Sequence, residues 1–178
     1  MAKEDLRVIK TLESIDNALL ESLKKLPFNK ITVGTLCTKA RINRTTFYKH
    51  YRDKFDLLDA MIDEALDEEP PFSEREHTLC QRVPANDDYR LLYEGADTLP
   101  HVTRHILERG GKEGIPQVVE RTGLDEETAR LLFVFAASGN IAVNNQMGWE
   151  RSERFNKVQA LVREVFFSGL DHISAMQS

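Results

Sequence analysis

The chain has 178 residues, 41% hydrophobic and 30% charged, with a net charge of −5. This suits one or two modest globular domains and leaves too few apolar residues for a membrane protein. The average hides a split: residues 1–54 carry twelve Lys/Arg against six Asp/Glu, while residues 55–178 carry twelve against twenty-three, so a basic domain and an acidic one are expected.

The opening MAKEDLRVIK has no apolar run behind its charges, so no secretory leader is expected. Only Cys37 and Cys80 are available to pair, which does not support a disulfide scaffold. A reducing cytosol is the expected setting. From residue 6 to 26, Ile9, Leu12, Ile15, Leu19, Leu23 and Leu26 recur every three or four positions, the period of a one-sided amphipathic helix. Pro27 should end it, because the residue before a proline is pushed out of the helical region, leaving Phe28 on a short connector. Thr32 is a good N-cap for a second helix over 33–40, and Asn43 for a third over 44–50. Asp53 caps a fourth, with Phe55, Leu58, Met61, Ile62, Ala65 and Leu66 on one face. Two very short helices with only a few residues between them have helix-turn-helix spacing. Ile31, Val33, Leu36, Cys37, Ile42, Phe47 and Tyr51 are spaced to share one small core, where Cys37 reads as packing.

The stretch ITVGTLCTKARINRTTFYKHYRDKFDLLDAMIDEAL, residues 31–66, closely resembles the DNA-binding segment of the TetR family of transcriptional regulators. The resemblance covers about residues 8–66. It rests on the short helix after Thr32, the aromatic-rich Phe47-Tyr48-Lys49-His50-Tyr51 run, and Lys54 followed by Leu57 and Leu58. It implies a helix-turn-helix whose second helix enters DNA, a dimer, and a variable helical second domain that senses a small ligand. This chain has Ala40-Arg41 where the family turn usually has a glycine after the alanine. A non-glycine residue at positive φ costs about 1 kcal/mol there. Asn43 stands where serine is common, and both cap helices well.

Physically, a helix starting after Asn43 presents its first turn to base edges in a major groove. Arg44, Thr45 and Thr46 occupy that turn and are the expected base readers: an arginine donates twice to guanine, and threonine offers a hydroxyl and a methyl. Tyr48, Lys49, His50 and Lys54, with Lys30 and Thr32 at the entry of the second helix, are the expected phosphate contacts. Phe47 and Tyr51 read as core.

Residues 68–86 contain three prolines and no clear period, and read as a connector. Helical segments are expected over 88–95, 99–109 and 115–121, punctuated by Gly110-Gly111, Gly114-Ile115-Pro116 and Gly123. A long helix follows over about 125–147. Its middle, 131–137, is apolar on every side and needs cover all round, yet is far shorter than the roughly 20 residues that cross a bilayer. The last helix, about 152–175, carries Phe155, Val158, Leu161, Val162, Val165, Phe166, Leu170 and Ile173, a stripe wide enough to pack in two directions. A homodimer through these last two helices is inferred.

The expected fold is all-α: an amino-terminal helix-turn-helix domain over 1–52, a connecting helix and linker over 53–86, and a dimerisation and ligand-sensing domain over 87–178. Leu91, Leu92, Tyr93, Leu99, His105, Phe133 and Asn140 are the candidate pocket residues, mixing apolar walls with a few polar groups. Trp149 either roofs a pocket or anchors a turn. His101 and His105 stand four apart, as a metal pair would, but no nearby Cys or carboxylate completes a ligand set unless His77 and Cys80 fold over from the connector, so neither a metal nor a cofactor is expected. Nucleophile, phosphate-loop and metalloprotease motifs are missing from the sequence, and no enzyme is expected. The reading is a cytoplasmic, homodimeric regulator on a palindromic operator, released by a small molecule. The alternative is a regulator whose second domain docks another protein, with its own DNA contacts dispensable.

Overall fold

A computed structural model describes residues 3–67, 90–150 and 152–177, and among these the regular structure is helical throughout. The order is α1 (Lys3–Leu23), a 3-10 turn (Phe28–Lys30), α2 (Val33–Ala40), α3 (Arg44–His50), α4 (Lys54–Asp67), α5 (Arg90–Glu94), α6 (Leu99–Thr122), α7 (Glu126–Gln146) and α8 (Glu153–Gln177). The connector expected over 68–86, with His77 and Cys80, lies outside the described residues. The chain forms two compact units. One gathers α1 to α5 and the start of α6 up to Val102, and the other holds α6 from Thr103 with α7 and α8.

Helix starts follow from the capping side chains. Thr35 N–H donates to Thr32 Oγ1 (3.1 Å) and Thr46 N–H to Asn43 Oδ1 (2.7 Å). Asp53 Oδ1 accepts from the N–H groups of Phe55 (2.7 Å) and Asp56 (2.9 Å). Asp125 caps α7 through Thr128 N–H (2.9 Å), and Ser152 caps α8 through Phe155 N–H (3.1 Å). Each cap satisfies a donor that the first helical turn leaves open. α1 ends at Leu23, before the proline. Ser22 O accepts from both Lys25 N–H and Leu26 N–H, turning the chain three residues before the expected end at Leu26.

In the first unit Ile15, Leu19, Ile31, Leu36, Phe47, Leu57, Leu58 and Ile62 are wholly or almost wholly buried. Cys37 packs among them, and burial pushes its thiol pKa up, so the packing reading holds. Val33, Ile42 and Tyr51 are half-buried at the edge of this core. Arg41, between α2 and α3, sits in the left-handed region at φ 56°, ψ 41°, the strained non-glycine position anticipated for this turn. Its N–H and that of Ile42 close the end of α2 onto Thr38 O and Cys37 O.

The second unit departs from expectation at α6, which is one helix across Gly110, Gly111, Gly114 and Pro116 where two segments were expected. Tertiary packing overrides the local breakers. A Cβ at Gly114 would come within 2.4 Å of the Phe133 ring, so the glycine is what lets that ring lie against the α6 backbone. Pro116 removes one donor to the carbonyl of Lys112. Both residues are exposed. Phe133 then joins Ile115, Val118, Ala129 and Leu170 in the core of this unit. Arg121 of α6 donates from Nε and Nη2 to the two Asp171 carboxylate oxygens of α8 (2.6 and 2.8 Å). Gln159 of α8 donates to Asn144 of α7 in a buried amide pair. Trp149 is buried at φ 54°, with its backbone N–H on Asn144 O (3.0 Å), and it anchors the turn after α7.

Candidate nucleic-acid interface

From Lys30 to Arg52 the sequence has six Lys/Arg and no Asp/Glu. The fold arranges that run as α2, a tight turn and α3. The Asn43 cap brings its own side chain to the Thr46 N–H and leaves Arg44 and Thr45 exposed at the start of α3. Thr46 is half-buried, and its hydroxyl bonds the same Asn43 Oδ1 (2.9 Å), so its polar atom also serves the cap. Tyr48 is 56% exposed and stands edge-on to the buried Phe47 ring. Lys49 is exposed and His50 half-buried one turn from Arg44 and Thr46. Phe47 faces the core, which fixes the opposite rotation of α3 and leaves Arg44, Thr45, Tyr48 and Lys49 to solvent.

Two features of this surface were not anticipated. Gly34 of α2 leaves room for the Arg44 side chain, since a Cβ there would lie 2.9 Å from a guanidinium nitrogen. Lys39 in the last turn of α2 and Arg41 just after it are further exposed cations, legible only in the absence of acidic residues over the stretch. Lys30 and Thr32 are exposed at the entry of α2, and Thr32 Oγ1 meets both the Thr35 N–H and, at 3.0 Å, its hydroxyl.

Lys54 departs from its expected place on a phosphate. Its ammonium donates to Phe28 O (2.8 Å), Ile31 O (2.9 Å) and, at 3.4 Å, Asn29 O. It also lies 4.6 Å from the Phe28 ring centre and 5.6 Å from that of Phe55. The three donors of a lysine are thereby turned inward onto the segment that leads into α2. The same segment is held from the other side by Asp97, whose Oδ2 accepts the Asn29 N–H (2.7 Å). Beside it, His101 packs on Phe55, and its Nε2 lies 2.6 Å from Asp59 Oδ1. Among the described residues no group of three His, Cys, Asp or Glu side chains is placed to hold a metal ion.

Behind this surface, Asp16 of α1 carries a buried carboxylate oxygen without a hydrogen bond. Burial, then the charges of Glu64 and Glu13, push its pKa up to about 7. Tyr51 is also raised, by burial first and then by Asp16, Glu64 and Asp56.

In the second unit a cavity of about 450 Å³ lies between α6, α7 and α8. Of the seven expected pocket residues it brings in two, Phe133 and Asn140. Leu92 and Tyr93 are instead buried in the first unit, where α5 packs on α1, and Leu91 and Leu99 belong to that unit as well. His105 is half-buried on α6 but is not part of the wall. A second apolar feature lies on the outside of α7 and α8: Phe135, Val165, Leu131 and Leu161 are 76%, 75%, 65% and 58% exposed.

No known family profile matches the chain. A stretch of 59 residues, 33% of this chain, is 41% identical to an uncharacterized HTH-type transcriptional regulator, YxbF, of Bacillus subtilis (strain 168). That stretch spans 16% of the relative's length.

Proposed function

We propose that this protein is a DNA-binding transcriptional regulator of the TetR type, a homodimeric repressor released from a palindromic operator by a small molecule. The observation that carries the reading is the acid-free basic run of residues 30–52, folded as a helix-turn-helix with Arg44 and Thr45 exposed on the first turn of α3. In this reading α3 enters a major groove. Arg44, Thr45 and Thr46 meet base edges there, while Lys30, Thr32, Tyr48, Lys49 and His50 meet phosphates. Lys54 positions the entry to α2. The 41% identity to a stretch of YxbF supports a regulator. A monomer would read one half-site only. The exposed apolar residues of α7 and α8 supply the surface for a second copy, as aromatic and aliphatic side chains do at stable homodimer interfaces. Two half-sites then lie about one helical turn, or a multiple of it, apart.

The cavity in the second unit is where the small molecule acts. It releases DNA only if it binds the DNA-incompetent arrangement more tightly than the competent one. The test is selection of bound DNA from a random pool by the purified protein at several salt concentrations. An inverted repeat whose binding weakens steeply with salt supports the proposal. Recovery of no specific sequence sinks it. If Arg44→Ala with Lys49→Ala abolishes binding to the selected DNA yet leaves regulation in cells intact, the second domain acts by docking another protein instead.

A further inference from the structure

The cavity between α6, α7 and α8 has a chemistry that selects its occupant. Its wall is built from the rings of Phe133, Phe166 and Phe167 and from aliphatic side chains such as Val118, Val162 and Leu170. Its volume of about 450 Å³ falls within the range of small-molecule sites, roughly 300–1,000 Å³. Three ionisable side chains reach it: Glu120, Arg121 and Arg163. The Arg121 charge is already answered by Asp171 through two hydrogen bonds, and its guanidinium also lies over the Phe167 ring, 4.9 Å from the centre. With Asp171 counted, the two positive charges meet two negative ones. The surroundings are electrically balanced. A ligand bearing net charge would leave water for a wall that offers it no net counter-charge, whereas an uncharged ring would gain burial at no such cost. Asn140 is the buried amide in the wall, able to donate and accept. The groove on the other side of Phe133, about 710 Å³, has aliphatic walls too, but only the Phe133 ring among aromatics, and more charge from Glu108, Lys112, Glu126 and Arg130.

We infer that this cavity takes an uncharged, flat aromatic molecule carrying one hydrogen-bonding group, stacked among the three phenylalanines and oriented by Asn140. The inference rests on the proposal that the second unit is the sensor, and it names the class of molecule sensed. Aromatic rings meet edge-on or offset in such a setting, so three phenyl walls favour a planar guest over a branched aliphatic one.

The full chain is titrated with N-phenyl-1-naphthylamine and with 1-anilinonaphthalene-8-sulfonate, which share one ring skeleton and differ by a single negative charge. The uncharged amine is expected to saturate one site per chain and the sulfonate to bind at least tenfold more weakly. Ala136→Phe, which fills the cavity, is expected to weaken the amine at least tenfold. Ala137→Leu does the same from the neighbouring position if the larger ring disturbs folding. Sulfonate binding that matches or exceeds the amine and collapses in Arg163→Gln overturns the inference in favour of anionic ligands. Failure of the amine to bind, or binding indifferent to both filling variants, also overturns it. Operator DNA affinity is measured on the same samples. If DNA binding is absent before any probe is added, the regulator reading fails, while the probe titrations still decide the class of ligand.

Discussion

Lys54 gives the sharpest test of how the helix-turn-helix is held. Lys54→Met keeps the alkyl stem against Phe28 and Phe55 and deletes the ammonium. Two short charge-assisted bonds, to Phe28 O and Ile31 O, are lost together with the long one to Asn29 O. A hydrogen bond to a charged group contributes about 1.5–3 kcal/mol. The three bonds share one ammonium and sit in a half-buried place that water reaches, so they do not add in full. Phe28 O also keeps its bond from the Ile31 N–H. The expected loss is therefore about 2–3 kcal/mol, read as a lower urea midpoint at unchanged slope. In a chain of this size that lowers Tm by roughly 4–12 °C.

Lys54→Arg separates positioning from phosphate contact. A guanidinium keeps the charge but is a rigid planar fork, unable to turn three donors onto three carbonyls as an ammonium does. It is expected to destabilise nearly as much as methionine. On operator DNA the salt dependence of Lys54→Met should keep its slope, while Lys49→Gln loses about 0.9 for one phosphate contact. A Lys54→Met protein of wild-type stability whose salt slope falls by that amount would refute the reasoning.

Arg41→Gly relieves the left-handed strain of about 1 kcal/mol, less about 0.5–1 kcal/mol for the extra chain entropy of glycine, and should stabilise by no more than about 0.5 kcal/mol in urea melts. Asp16 has a folded pKa of about 7, above its ordinary value of 3.8, so the folded state holds the extra proton between those values and stability falls as pH rises through that window. Asp16→Asn should thus flatten the Tm profile between pH 4 and 7. The variant should gain about 1–2 kcal/mol at pH 8, after discounting for the exposed part of the carboxyl, and little at pH 4. In the proposed homodimer through α7 and α8, Val165→Glu places a charge on an apolar residue that is 75% exposed and should give monomers by sedimentation equilibrium, with helicity unchanged. A variant that stays dimeric would move the interface elsewhere.

The caps at Thr32, Asn43 and Asp53 could be read from the sequence because each is a local bargain between one side chain and the N–H groups two or three residues on. The left-handed Arg41 is anticipated by the resemblance, whose turn usually has a glycine after the alanine, and its φ of 56° fits that expectation. What could not be read is decided by contacts distant in sequence. Gly110, Gly111, Gly114 and Pro116 look like breakers until Phe133, about twenty residues on, is seen lying on the α6 backbone, where the missing side chains are a fit to the ring. Lys54 looks like a surface cation at a helix start until the carbonyls of residues 28–31, more than twenty positions back, are found converging on it. The pocket shows the same division. Phe133 and Asn140 line the cavity from one helix, while Leu92 and Tyr93 lie in the first unit, and nothing in their own neighbourhood records that α5 packs against α1. Local chemistry therefore identifies the exposed basic surface, where side chains act one by one, and long-range packing decides the second unit's cavity, which exists only through what three helices leave unfilled.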